Sequence, residues 1–135
     1  MRVALGTDEH TPLLDELVAR LAETGHEAVV VADGDPWLDV GRAVGEAVAA
    51  GRVDRGVVCC WTGTGVSMAA NKVPGVRAAL CTDAETARGA RRWNDANVLA
   101  LGLRLTSATV GREMLDAFLA TDADESGRGA GERLG

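Results

Sequence analysis

Five short apolar runs in this chain are each followed by a segment with helical spacing, and that alternation constrains the fold more than any other feature. The runs are residues 2–7, 27–31, 54–60, 76–81 and 98–101. Residues 12–24 place Leu13, Leu14, Leu17, Val18 and Leu21 on one helical face, which is the pattern of a helix with one buried side. Residues 39–50, 67–71, 83–92 and 109–121 read as the other helices, and Asp33-Gly34-Asp35-Pro36 reads as a turn. Strands and helices in alternation predict an α/β fold: an open, mostly parallel five-stranded sheet with helices on both faces, three layers in all. Ligands of such sheets bind beyond the carboxyl ends of the strands. The candidate loops are therefore 7–11, 60–65, 82–83, 93–97 and 102–104.

The loop after the third run carries the most chemistry. Val57-Val58-Cys59-Cys60 leads into Trp61-Thr62-Gly63-Thr64-Gly65 and then the helix-like Ser67-Met68-Ala69-Ala70-Asn71. A thiol is thus set beside backbone N–H groups at a helix start, where an anion or a developing negative charge is stabilised. Such a thiol can act as nucleophile or base. The same residues also suit a plainer role, with Cys59 and Cys60 as small buried hydrophobes at a strand end. The loop lacks the spacing of a Walker A motif and the third glycine of a dinucleotide fingerprint.

Other loops offer polar groups with two readings each. Asp8 can accept hydrogen bonds from sugar hydroxyls or cap the helix near Pro12. His10 can bind an anion or shuttle a proton, or stand solvated in its loop. Asn94 and Asp95 can hold a polar substrate or make local turns. Arg104, at a strand end, can grip a phosphate with its guanidinium fork or form a surface ion pair.

The 135 residues fit one domain, with 1–121 as the folded unit and the polar, glycine-rich 122–135 as a mobile tail or an arm lying on a partner. A net charge of −6 and the lack of a basic cluster argue against nucleic acid. No run is long enough to span a membrane, and the first residues do not resemble a secretory signal. Three cysteines without paired spacing suit a reducing cytoplasm, and with two histidines they make a structural zinc site improbable. Trp37, Trp61 and Trp93 stand out in a chain with no tyrosine and one phenylalanine.

The segment from Val57 to Arg104 resembles the ribose-5-phosphate isomerase B and galactose-6-phosphate isomerase family. The matching stretches are Gly56-Val57-Val58-Cys59-Cys60, Thr62-Gly63-Thr64-Gly65, and Ala69-Ala70-Asn71-Lys72-Val73-Pro74-Gly75-Val76-Arg77-Ala78-Ala79-Leu80-Cys81. Thr86-Ala87-Arg88, Asn94-Asp95-Ala96-Asn97-Val98-Leu99-Ala100-Leu101-Gly102 and Arg104 follow, and Val3-Ala4-Leu5-Gly6-Thr7-Asp8 also fits. The likeness fades after about residue 121. It implies a Rossmann-like sandwich and an aldose–ketose isomerase of a small phosphorylated sugar that works without metal or organic cofactor. Cys60 would be the base, Thr62 would polarise it, and the N–H groups of Gly63, Thr64 and Gly65 would stabilise a cis-enediolate. Asp8 and Asn94 fall at substrate-binding positions, and His10 and Trp93, beside or in place of family histidines, are counted with them as substrate-binding candidates. Arg104 falls at a phosphate-binding one; the family's C-terminal arginine cluster is thin here, with Arg128 and Arg133 of the tail as its stand-ins. The resemblance also implies a homodimer with shared active sites, or a tetramer built from it.

The chain departs from that family at telling places. Glu9 stands where a histidine usually follows the first-loop aspartate, with His10 one place later. Trp93 replaces the histidine tied to sugar-ring opening, and Trp61 replaces a glycine. Tryptophan has no proton to exchange near neutral pH. Three readings follow: an isomerase of ribose 5-phosphate and ribulose 5-phosphate, an isomerase of tetrose or tetrulose 4-phosphates that cannot close a furanose ring, or a non-catalytic sugar-phosphate-binding subunit.

Overall fold

A computed structural model describes residues 1–135. The strands are β1 (Arg2–Thr7), β2 (Glu27–Asp33), β3 (Arg55–Cys60), β4 (Ala78–Leu80) and β5 (Val98–Gly102). The helices are α1 (Pro12–Glu23), α2 (Trp37–Ala49), α3 (Thr64–Asn71), α4 (Ala84–Asn94), α5 (Ala108–Ala120) and α6 (Glu125–Leu134). All strand pairs are parallel, in the order β2-β1-β3-β5-β4. The expected α/β sandwich is therefore present, with every predicted strand and helix in place and boundaries shifted by a few residues.

Topology assigns each helix to a layer. Crossovers between parallel strands are right-handed. The chain moves one way across the sheet from β1 to β2 and from β4 to β5, and the other way from β2 to β3 and from β3 to β4. So α1 and α4 lie on one face and α2 and α3 on the other. The two buried clusters follow this division. Leu13, Leu14, Leu17, Leu21, Ala87, Met114 and Phe118 pack on Val3, Leu5, Val57, Cys59, Leu99 and Leu101. Val40, Val44, Ala47, Val66 and Ala70 pack on Ala4, Val58, Cys60, Val98 and Ala100. Side chains alternate between faces along a strand, so Cys59 and Cys60 belong to different layers.

The seam between α2 and α3 is unusually close. A Cβ at Gly41 would lie 2.5 Å from Ala69 Cβ, and one at Gly45 would lie 3.0 Å from Val73 Cγ2. Small residues at every fourth position of α2 therefore let it settle on α3. One turn earlier the same ladder puts Trp37 on Gly65, where a Cβ would be 2.9 Å from the indole Cε3.

Residues 122–135 are not a loose tail. Asp124 caps α6 by accepting a hydrogen bond from the Gly127 N–H at 2.7 Å. The Asp124 N–H donates to the Arg92 carbonyl at 3.0 Å. Gly127 lies directly against that carbonyl, and Gly131 lies against the Asp95 side chain. The helix thus docks on α4 of its own chain. Glycine is a poor helix former, but here its missing side chain is what permits the backbones to approach, and tertiary contact offsets the weak local propensity.

Candidate active site

The sheet has its topological switch between β1 and β3, where successive connections leave in opposite directions. Crevices at such points bind ligands. The loops there are tied together by backbone bonds: Asp8 N–H to the Cys59 carbonyl at 3.2 Å, Leu103 N–H to the Cys60 carbonyl at 2.8 Å, and Arg104 N–H to the Trp61 carbonyl at 3.0 Å. Register places Thr7 opposite Cys59 and Cys60 opposite Gly102. The residues that follow β1, β3 and β5 accordingly emerge at one level.

A cavity of about 420 Å³ opens there, lined by Asp8, Trp37, Cys60, Trp61, Thr62, Thr64, Gly65 and Met68. Cys60 reaches it from the end of β3, with its side chain toward the α2/α3 layer. Gly63 makes the turn into α3 with φ of +78°, a left-handed conformation that glycine adopts without penalty. A Cβ there would also meet the Leu101 carbonyl carbon at 2.8 Å. The first turn of α3 then presents the N–H groups of Thr64, Gly65 and Val66. They precede Ser67, whose N–H bonds to the Gly63 carbonyl, and no side chain caps them. Unpaired N–H groups at a helix start form an anion site.

Asp8 faces the same cavity. Its Oδ1 is buried without a hydrogen-bond partner, and burial pushes its pKa up from the ordinary carboxylate value. A buried acceptor left unpaired is costly unless a ligand supplies the donor. Thr62 lines the cavity too, but its hydroxyl pairs with that of Thr64 at 2.7 Å instead of with the Cys60 thiol. The expected polarising contact is absent because the tight turn at Gly63 brings the two threonine hydroxyls together.

Cys59 is 1 % exposed within the opposite layer, and burial pushes its thiol up to about 12. It is a core residue. Cys81 is likewise buried, with its thiol pushed up to about 11.

Several predicted residues lie elsewhere in the protomer. His10 is outside the Cys60 cavity: its Nδ1 sits 2.9 Å from Asp33 Oδ2 and its Nε2 3.1 Å from Asp15 Oδ1. The two carboxylates raise its pKa, Asp33 most strongly. The ring ties the first loop to the end of β2 and the first turn of α1. Trp93 and Asn94 line a separate cavity of about 440 Å³ beside Leu80 and Cys81; the 93–97 loop leads into β5 and so lies at the amino ends of the strands, not at the carboxyl ends expected from the sequence. Arg104 is exposed at the end of β5. Arg128 donates to the Ala123 carbonyl at 2.7 Å, and Arg133 is exposed on α6. None of these three arginines lines the Cys60 cavity.

Sequence reasoning noted Trp37 but did not place it in the site; its helical ladder with Gly41 and Gly45 was the available signal. It also missed Arg91, which is 2 % exposed. Arg91 donates to Asp95 at 3.0 Å and to the Ala96 and Thr121 carbonyls, and its guanidinium lies 5.8 Å from the centre of the Phe118 ring. Asn71 and Asn97 hold loops: Asn71 bonds both to the N–H and to the carbonyl of Ala78, and Asn97 bridges Gly75 and Arg77.

A parallel α/β sheet with a thiol, a half-buried carboxylate and a free helix start at its switch point defines a small-molecule enzyme scaffold of the Rossmann-like class. The Ribose/Galactose Isomerase family profile matches residues 3–133, and the chain belongs to that family. Ribose-5-phosphate isomerase B of Escherichia coli is 37% identical over 126 residues, covering 87% of this chain and 83% of that protein. D-erythrulose-4-phosphate isomerase of Pectobacterium atrosepticum is 38% identical over 98 residues, covering 73% of this chain and 63% of that one. The solved ribose-5-phosphate isomerase B of Clostridium thermocellum superposes with a TM-score of 0.91 at 35% identity, covering 99% of this chain and 95% of that one. This chain is therefore a sugar-phosphate isomerase by family.

Proposed function

We propose that the protein interconverts an aldose phosphate and a ketose phosphate, with Cys60 as the base. One observation carries the reading: Cys60, the Asp8 carboxylate with its unpaired Oδ1, and the open N–H groups of α3 meet in a single cavity. In the aldose-to-ketose direction the Cys60 thiolate removes the proton on C2, and the electron pair forms the C1–C2 double bond of a cis-enediolate. The N–H groups of Thr64 and Gly65 hold the negative oxygen. Cys60 returns its proton to C1, and one hydroxyl proton moves from O2 to O1. Asp8 accepts hydrogen bonds from substrate hydroxyls. No external electron donor or acceptor is needed.

A homodimer with shared sites fits the placement of the remaining groups. Trp93 and Asn94 open to a different cavity from Cys60. Trp37, Trp61, Met68, Leu80, Trp93 and Leu105 are all exposed apolar groups, with Leu80 and Trp93 sharing one cavity and Trp37, Trp61 and Met68 the other, and exposed apolar patches mark interfaces. A second copy would cover them and bring Asn94, Arg128 and Arg133 toward the Cys60 site. Arg104 would contact the phosphate from the same subunit.

Ribose 5-phosphate and ribulose 5-phosphate form the first substrate pair by likeness to ribose-5-phosphate isomerase B. Trp93 favours a second pair, because an indole cannot open a hemiacetal. Erythrose 4-phosphate and erythrulose 4-phosphate lack the hydroxyl that closes a furanose and need no such help. The test is kcat/KM for both pairs with wild type and Cys60→Ser. Loss of turnover in Cys60→Ser supports the base, and full activity refutes it. Higher efficiency on the pentose would discard the tetrose reading.

A further inference from the structure

We propose that Trp37 is the residue that sets substrate length at the Cys60 site, favouring linear four-carbon sugar phosphates over five-carbon ones. The proposal rests on the isomerase reading above and extends it to a residue to which the sequence assigned no role.

Trp37 is the first residue of α2, directly after the Pro36 cap. The residue is 40% exposed and lines the cavity that holds Cys60 and Asp8. The ring cannot withdraw toward α3, since a Cβ at Gly65 would already lie 2.9 Å and 3.0 Å from two of its carbons. It cannot follow a movement of α2 either. Gly41 and Gly45, one and two turns further along, are closed on Ala69 and Val73. Trp37 on Gly65, Gly41 on Ala69 and Gly45 on Val73 make one ladder that locks the indole beside the first turn of α3. That turn holds the N–H groups assigned to the enediolate. With C1 and C2 held at Cys60 and the phosphate fixed beyond them, the carbon that a pentose adds between these ends must bow against a wall of the cavity, and Trp37 is the wall that cannot give. Trp61, 61% exposed, lines the same cavity.

A rigid pocket distinguishes chains differing by one carbon by roughly ten- to two-hundred-fold. Trp37→Ala is expected to raise the ratio of kcat/KM for ribose 5-phosphate to that for erythrose 4-phosphate at least ten-fold. Trp37→Phe, which keeps a smaller ring on Gly65, should raise it less. Gly65→Ala keeps its N–H but forces the ring to move, and should change the ratio without removal of the indole. An unchanged ratio in Trp37→Ala and Trp37→Phe, both still turning over the tetrose, would overturn the proposal and leave the isomerase reading intact. If Trp37→Ala does not fold, Trp37→Phe and Gly65→Ala decide by the same criterion. Turnover of neither sugar phosphate by the wild type would overturn both.

Discussion

Cys59 and Cys60 are adjacent in the chain and lie in opposite layers of the protein. Cys59 is packed with α1 and α5 under one face of the sheet, and Cys60 faces α2 and α3 and the cavity at the strand ends. Cys60→Ser should lower kcat by a hundred- to ten-thousand-fold, the usual worth of a positioned proton-transfer group. Cys59→Ala should leave kcat near wild type and cost about 1 kcal/mol of stability. Sugar-phosphate turnover and urea denaturation of the two variants separate these roles.

Gly63→Ala should impair both stability and catalysis. The position has φ of +78°, and a Cβ would sit 2.5 Å from Leu80 Cδ1 as well as against the backbone of Leu101. Strain of this kind costs about 1–3 kcal/mol. Because the same turn aims the first N–H groups of α3, kcat should fall more than KM rises. Denaturant midpoints and steady-state kinetics on the purified variant check both effects.

His10 should make stability depend on pH. Asp33 and Asp15 raise its folded pKa above the ordinary value of 6.5. A group with a raised folded pKa contributes stability fully below its unfolded pKa, and loses that contribution as pH rises through the folded one. The urea midpoint should accordingly decline above about pH 6.5, once other titrations are subtracted. His10→Gln should lack that component. Equal slopes for wild type and variant between pH 6 and 9 would refute the linkage.

Removal of residues 122–135 should destabilise the protein by about 2 kcal/mol, a Tm drop of roughly 5–10 °C. The truncation strips α6 from α4, where Gly127 and Gly131 lie against Arg92 and Asp95. Arg133→Ala isolates the phosphate question, since its side chain is exposed on the far end of α6. It should leave Tm unchanged and raise KM several-fold if α6 reaches the phosphate. An unchanged KM would remove Arg133 from the site.

Trp93→His should raise turnover on ribose 5-phosphate and leave erythrose 4-phosphate unaffected. Trp93 is 58% exposed and rests on Gly89, one turn earlier in α4. An imidazole can supply the acid–base help that ring opening needs, worth up to about 10⁴-fold. Parallel kinetics on the two substrates measure the gain.

The strands, the helices that follow them and the loop bearing Cys60 were legible in the residue order. These features depend on local periodicity: two residues per repeat along a strand and 3.6 along a helix. The same periodicity placed Cys59 and Cys60 on opposite faces, and the Thr62-Gly63-Thr64-Gly65 turn at the start of α3. Contacts between elements were not legible, because they depend on how closely two surfaces approach. Gly41 and Gly45 bring α2 onto α3 and carry Trp37 to Gly65, where it walls the cavity. His10 is drawn away by Asp15 and Asp33, which lie on two other elements. Trp93 and Asn94 end up in a second cavity because they close α4, which packs on the other face and runs back to the amino end of β5. Residues 125–134 read as a tail because their glycines have little helical preference, yet those glycines let them dock on α4 as a helix. The order of residues determined the sheet, its helices and the reactive loop; only tertiary packing decided which side chains share the cavity, because a cavity is made by the distances between elements.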